Sequence, residues 1–261
     1  TGPCTNAIIE AGVNKVVVGA LDPNPKHAGR GIARLKKGGV DVQVGVLPEE
    51  CSELNESYNK WIQTGVPFVI AKCGMSLDGR LTAPPTESQW LTSAASRKDA
   101  RHLRARVDAI LVGAETIRAD DPRLTLRGRT DAKQPWRIVL SRSGKLPGRA
   151  RIFTDRFAAR TLVYRQIPLD ALLHELGAKE ITSVLIEGGG DILGQALDRR
   201  LIDKVQIYAA PIFAGGPSIA FAGNGAEFTL AAPRLSRVRY EKIGADLRMT
   251  GYPTLYRDKA E

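Results

Sequence analysis

Long apolar runs are missing from this sequence. No stretch approaches the about 20 consecutive apolar residues that a membrane helix needs, so no membrane partner is expected. Cysteine is sparse. Cys4, Cys51 and Cys73 are too few and too odd in number for a disulfide framework, and they fit a reducing cytoplasm. No secretory leader is visible at Thr1. Only three histidines occur, His27, His102 and His174. They fall into no metal-ligand spacing and no Ser/His/Asp order, so structural or surface places are expected for them.

What is present suits a folded α/β protein. Of 261 residues 43% are hydrophobic and 25% charged, enough for one large domain or two modest ones. The net charge is +10. The basic residues are interspersed with acidic and apolar ones, and no nucleic-acid signature accompanies them. A positive field equally suits a small polyanionic ligand, so nucleic acid is not expected as a partner.

The first part alternates helix and strand. Helices are expected over Thr5–Ala11, Gly31–Lys37 and Pro48 to about Gln63, with a buried strand Val16-Val17-Val18 within Asn14–Ala20 and another strand over Val40–Val46. Gly38-Gly39 reads as a helix stop. Thr64-Gly65-Val66-Pro67 is a natural boundary. Beyond it, strands are expected over Phe68–Cys73, Ala109–Gly113, Trp136–Leu140, Thr161–Tyr164, Ser183–Ile186 and Lys204–Ala209. Helices are expected over Ala94–Val107, Leu169–Leu176 and Ile192–Arg199, and a final hairpin over Ser236–Ile243 and Asp246–Tyr256. That alternation predicts a mainly parallel sheet.

Four segments carry candidate chemistry. Ile186-Glu187-Gly188-Gly189-Gly190-Asp191 runs from a strand through three glycines into a helix. Such a turn lets backbone approach an anion, and the helix N-terminus offers it free N–H groups; a plain tight turn is the alternative. Glu187 falls at a strand's carboxyl end, where open α/β sheets bind ligands. Lys72-Cys73-Gly74, also after a strand, makes Lys72 a phosphate or hydroxyl contact, or else an exposed loop lysine. Around Trp90, Ser93 is an expected N-cap, followed by Arg97, Arg101 and Arg104 on one helix face. A solvated basic face is the alternative there. Thr116 to Arg127 adds Asp120 and Arg127, the latter a bidentate match for phosphate.

Taken in order, KCGMSLDGRLTA (72–83), ESQWLTS (87–93), LRARVDAILVGAETIRADDPRLTLR (103–127) and LIEGGGDILGQAL (185–197) resemble the reductase part of the bifunctional riboflavin biosynthesis deaminase-reductase family, RibD or RibG. The resemblance covers residues 67 to about 258 and implies a dihydrofolate-reductase-like fold. It implies NADPH-dependent reduction of 5-amino-6-(5-phospho-D-ribosylamino)uracil to its ribitylamino counterpart. By motif position, Ser88, Arg104, Leu124, Arg127 and Glu187 would contact substrate, the arginines gripping its phosphate. Gly74, Trp90, Thr116, Asp120 and the run Gly189, Gly190, Asp191, Ile192, Leu193, Gly194 and Gln195 would contact NADPH. Ser141 is assigned loosely to the cofactor, because Ser141-Arg142-Ser143 departs from the family's acidic-then-serine pair. Lys72 matches a lysine near the substrate ribose, and Lys72 and Glu187 are the candidates for catalysis.

Residues 1–63 look like the second half of the family's cytidine-deaminase-like α/β domain, on Pro3-Cys4-Thr5-Asn6 and Asp22-Pro23-Asn24-Pro25. Cys4 would be its last zinc ligand. The H-x-E segment and earlier cysteine of a zinc deaminase do not occur, and one thiolate does not hold a catalytic zinc. An additional N-terminal part is therefore expected, and zinc and deaminase activity only with it. A homo-oligomer is expected by the same resemblance. Two other readings stay open, a related reductase with a changed substrate and a non-catalytic nucleotide-binding scaffold.

Overall fold

The structure, a computed structural model, describes residues 2–27, 29–81, 90–126 and 133–254. The chain forms two compact units, Thr1–Val66 and Pro67–Glu261.

In the first unit, α1 (Cys4–Glu10), β1 (Lys15–Val18), α2 (Arg30–Lys37), β2 (Asp41–Val44), α3 (Pro48–Leu54) and α4 (Glu56–Thr64) follow one another. β1 and β2 pair in parallel, Lys15 opposite Asp41. A parallel pair needs a crossover, and the connection containing α2 supplies it. The single helix expected from Pro48 to Gln63 is two helices. Asn55 leaves the helical region at φ −110°, and its side-chain amide donates to the Cys51 carbonyl. Asparagine competes with the backbone in this way and disfavours a helix interior. Among this unit's described apolar residues only Leu35 and Val40 are buried, whereas Val17, Leu21, Val44, Leu47 and Leu54 are exposed; the strand expected to be buried is thus open, because a two-stranded sheet leaves Val17 uncovered.

The second unit contains β3 (Phe68–Ser76), α5 (Ala94–Arg104), β4 (Ala109–Gly113), α6 (Ala114–Asp120), β5 (Trp136–Ser141), α7 (Arg151–Thr154), β6 (Thr161–Arg165), α8 (Leu169–Ala178), β7 (Ser183–Glu187), α9 (Gly190–Asp198), β8 (Lys204–Ala210), β9 (Arg234–Ile243) and β10 (Asp246–Thr254). Its eight strands lie in the order β6-β5-β4-β7-β3-β8-β10-β9. Pairings from β6 across to β8 are parallel, and β10 runs antiparallel to both β8 and β9. The expected α/β class, parallel sheet and closing hairpin are therefore present, the hairpin as far as Thr254; the expected strand end at Tyr256 lies outside the described residues.

Crossover handedness decides which helix covers which face. From β3 the chain steps outward through β4 and β5 to β6, then returns to β7 and β8. Right-handed connections in opposite directions put α5, α6 and α7 on one face and α8 and α9 on the other. The packing agrees. Phe68, Ile70, Ile110, Val112, Val139 and Leu185 form one core with Leu103 of α5, Ile117 of α6 and Ile152 of α7. On the other side Ile192 of α9 comes close to Gly113 at the end of β4.

Neighbouring strands β4 and β7 thus send their following helices, α6 and α9, to opposite faces. That divergence opens a crevice at their carboxyl ends, the switch point where α/β sheets take ligands.

Candidate active site

Strand alternation carries one face of β3 and β7 from core into site. Phe68, Ile70 and Leu185 are buried apolar residues; Lys72, Gly74 and Glu187 follow on the same face. Lys72 and Glu187 are direct register partners. Lys72 is therefore no loop residue, since β3 continues to Ser76, and its side chain is half-buried.

These residues open into a cleft of about 1480 Å³. Of the expected site residues, Lys72, Gly74, Trp90, Arg104, Thr116, Asp120, Leu124, Glu187, Gly189, Gly190 and Asp191 line it. Ser88 and Arg127 lie outside the described residues. Ile192, Leu193, Gly194, Gln195 and Ser141 are not among its walls. Ile192, Leu193 and Gly194 pack inward from α9, and Ser141 is buried, its hydroxyl accepting from the Gly144 N–H.

Arg104 and Glu187 form a forked pair. Nε donates to Oε1 at 2.9 Å and Nη2 to Oε2 at 2.7 Å, while Nη1 donates to the Thr125 carbonyl at 3.3 Å. Arg104 is thus no part of a solvated basic face; its side chain is 15% exposed and that of Glu187 9%. Burial alone would push the Glu187 carboxyl up, but the Arg104 guanidinium, with help from Lys72, holds it below its ordinary value. Glu187 is therefore a carboxylate near neutrality, an acceptor and not an acid. Cys73 points to the other face, and burial pushes its thiol up to about 12, which makes it a poor nucleophile. Burial also raises Asp120, at the end of α6.

Directly after Glu187, Gly188 and Gly189 occupy the left-handed region at φ 78° and 76°, which admits residues without Cβ most readily. A Cβ at either would face Thr116 at 3.6 to 3.7 Å from Oγ1. The turn delivers the chain into α9, whose first N–H groups lack helical partners by geometry. Gly190 serves packing instead, since a Cβ there would sit 1.9 Å from the Ile219 carbonyl oxygen. These open backbone surfaces beside Thr116 suit a nucleotide's phosphates.

At the rim, Trp90 is 63% exposed and Arg97 stacks on it 5.0 Å from the ring centroid. Ser93 caps α5 as expected, accepting from the Ser96 N–H. Leu124 is 2% exposed and belongs to the core, so little of its side chain is available to a ligand.

Several cleft residues escaped the sequence reading. Tyr208 faces the same side as Lys72 and Gly74, accepts from Gln206 and donates to Asp99 at 2.7 Å. Alternation within Lys204–Ala210 could have placed it. Ile219 and Ser218, in an irregular segment, carried no such signal. Among the described residues, no three His, Cys, Asp or Glu side chains converge as metal ligands, Cys4 is exposed, and no helix is long and apolar enough to cross a membrane.

Comparison with known proteins matches this architecture. The RibD C-terminal domain family matches residues 67–249. The riboflavin biosynthesis protein RibD of Mycobacterium tuberculosis is 40% identical over 255 residues, covering 96% of this chain and 73% of that one. The structure of Acinetobacter baumannii RibD superposes with a TM-score of 0.86 at 33% identity, over 97% of this chain and 77% of that one. A Thermotoga maritima structure, described as a diaminohydroxyphosphoribosylaminopyrimidine deaminase/5-amino-6-(5-phosphoribosylamino)uracil reductase, has a TM-score of 0.85 at 29% identity, over 97% and 75% of the two chains. With this coverage and identity, the chain belongs to the RibD family of riboflavin biosynthesis proteins.

Proposed function

We propose that the second unit reduces 5-amino-6-(5-phospho-D-ribosylamino)uracil to its ribitylamino product with NADPH. The observation that carries this reading is one cleft lined by two kinds of group. One is the set Lys72, Arg104 and Glu187, and the other is the Gly188-Gly189 turn, the start of α9 and Thr116. The first suits a phosphorylated, hydroxyl-rich substrate and the second a dinucleotide.

NADPH supplies a hydride, which belongs at C1 of the open-chain, imine-like ribosylamine. The protein's residues orient and stabilise. Glu187, held ionised, accepts hydrogen bonds from ribose hydroxyls. Lys72, beside it in register, is the donor placed to deliver a proton to the ribosyl nitrogen as C1 is reduced. Arg104 keeps Glu187 charged and, with Arg127, is assigned to the 5-phosphate. Ser88 and Leu124, the latter through the little surface it turns to the cleft, complete the substrate contacts; Gly74, Trp90 and Asp120 belong to the cofactor side, and Ser141, buried away from the cleft walls, is not kept among them.

The residues of the first unit do not fit a catalytic zinc. Cys4 supplies one thiolate where three protein ligands are needed, so no deamination step is derived for this chain. The proposed enzyme is a cytoplasmic homo-oligomer that binds neither nucleic acid nor membrane.

The test is NADPH consumption by the purified chain on addition of the ribosylaminouracil phosphate. Substrate-dependent consumption is expected. Binding of NADPH without turnover would favour a changed substrate or a scaffold.

A further inference from the structure

One wall of the cleft is an irregular segment, residues 211–223, that contributes Pro217, Ser218, Ile219 and Ala222. It contains Gly215-Gly216, both at positive φ, and no helix or strand of its own. Such a segment needs anchors to hold one shape.

Its side-chain anchor at the Ala214-Gly215 end is Asp78. Oδ1 accepts from the Ser76 hydroxyl at 2.5 Å and the Ala214 N–H at 3.0 Å, and Oδ2 accepts from the Gly215 N–H at 2.8 Å. Arg80 Nε lies 3.6 Å away. These hydrogen bonds, led by that of Ser76, hold the carboxyl well below the usual carboxylate range. Backbone bonds extend the clamp, Leu77 N–H to the Ile212 carbonyl, Leu81 N–H to Ser218 and Ala220 N–H to Gly79.

The far side of the same segment rests on the cofactor helix. The Ala222 N–H donates to the Gly190 carbonyl at 2.9 Å, and the Ile219 carbonyl occupies the space a Gly190 Cβ would need. The Asp198 carboxylate, at the other end of α9, accepts from the Asn224 N–H at 2.7 Å. The segment is therefore fastened between Asp78 and α9, and its position sets the width of the cleft above the α9 N-terminus.

We propose that Asp78 is a positioning residue for NADPH, acting through the 211–223 wall it pins against α9. The inference rests on the NADPH reading above. In Asp78→Asn an amide replaces one oxygen. If Oδ1 is kept, the new N–H groups face the Gly215 N–H and Arg80, a donor-to-donor contact that loosens the Gly215 end of the wall.

The experiment is equilibrium titration of the full chain with NADPH alone, followed by steady-state kinetics and thermal melting. For Asp78→Asn, NADPH affinity should fall and KM for NADPH rise at least about fivefold, with kcat and KM for the pyrimidine within about twofold. A merely structural residue would lower the melting temperature and leave NADPH affinity per folded molecule unchanged, and that result overturns the proposal. Should Asp78→Asn fail to fold, Ser76→Ala removes one bond to the carboxylate and should shift NADPH affinity in the same direction; unchanged affinity there also overturns it. A wild-type chain that binds no NADPH contradicts the functional reading itself and the inference with it, whereas wild-type binding matched by the variant contradicts Asp78's role alone.

Discussion

Glu187 sits among groups that would normally expel a charge, and Arg104 is the reason it keeps one. The guanidinium donates to both carboxylate oxygens, and the paired groups still line the cleft. Arg104→Met leaves a buried carboxylate with Lys72 as its remaining cation. The expected loss is about 3–5 kcal/mol, read by urea denaturation, with the Arg104→Met/Glu187→Gln double variant losing less than the sum of the singles. In the native protein Glu187 is lowered from its ordinary 4.5. The pair's contribution is thus fully present above pH 4.5 and is lost as pH falls through the folded value. In Arg104→Met burial dominates and raises the carboxyl, so the variant should instead lose stability as pH rises above 4.5. A variant with an unchanged pH profile would show that Arg104 does not set the charge of Glu187. That Arg104 and Glu187 meet was not readable from the sequence, since 83 residues separate them and only the β7–β3 register with α5 brings them together. The apolar runs that end at Lys72 and Glu187, with glycine soon after each, did mark both as carboxyl-end residues.

Among the elements, the turn into α9 does most to shape the site. Gly188 and Gly189 were legible as glycines that let backbone approach a ligand, and their positive φ angles agree with that use. Gly190 and Gly194 were read as part of the same run, yet each meets backbone of the 219–223 wall. Glycine needed for packing and glycine needed for a ligand look alike in sequence. Gly190→Ala forces a Cβ onto the Ile219 carbonyl. It should cost about 1–3 kcal/mol by thermal melting and raise KM for NADPH more than KM for the pyrimidine. Equal stability and equal KM values would mean that the wall moves freely. Short elements were the least legible. No helix was expected over α6 because seven residues after a buried strand show too little helical period, and the four-residue α7 shows none. β3 ran three residues past its expected end because Gly74, a weak strand former, still pairs with Tyr208.

At the scale of the whole chain, the two units differ in what supports them. The second buries the middle of its sheet, β3, β4, β5 and β7, while β9 stays largely open. The first buries little apolar surface and keeps Val17 and Val44 of its two-stranded sheet exposed. The break near Pro67 was legible from Thr64-Gly65-Val66-Pro67, and the alternating pattern beyond it announced a parallel sheet. The order of the strands was not legible, because the return of β7 between β4 and β3 is a long-range pairing that no local pattern records. That return creates the switch-point crevice. The central claim is that hydride passes in this cleft from NADPH to the ribosyl carbon. The most direct measurement uses NADPH deuterated at the transferable nicotinamide position, with mass and NMR analysis of the product. One deuterium at C1 of the ribityl chain is predicted; a product without deuterium, or with it on the pyrimidine ring, would contradict the account.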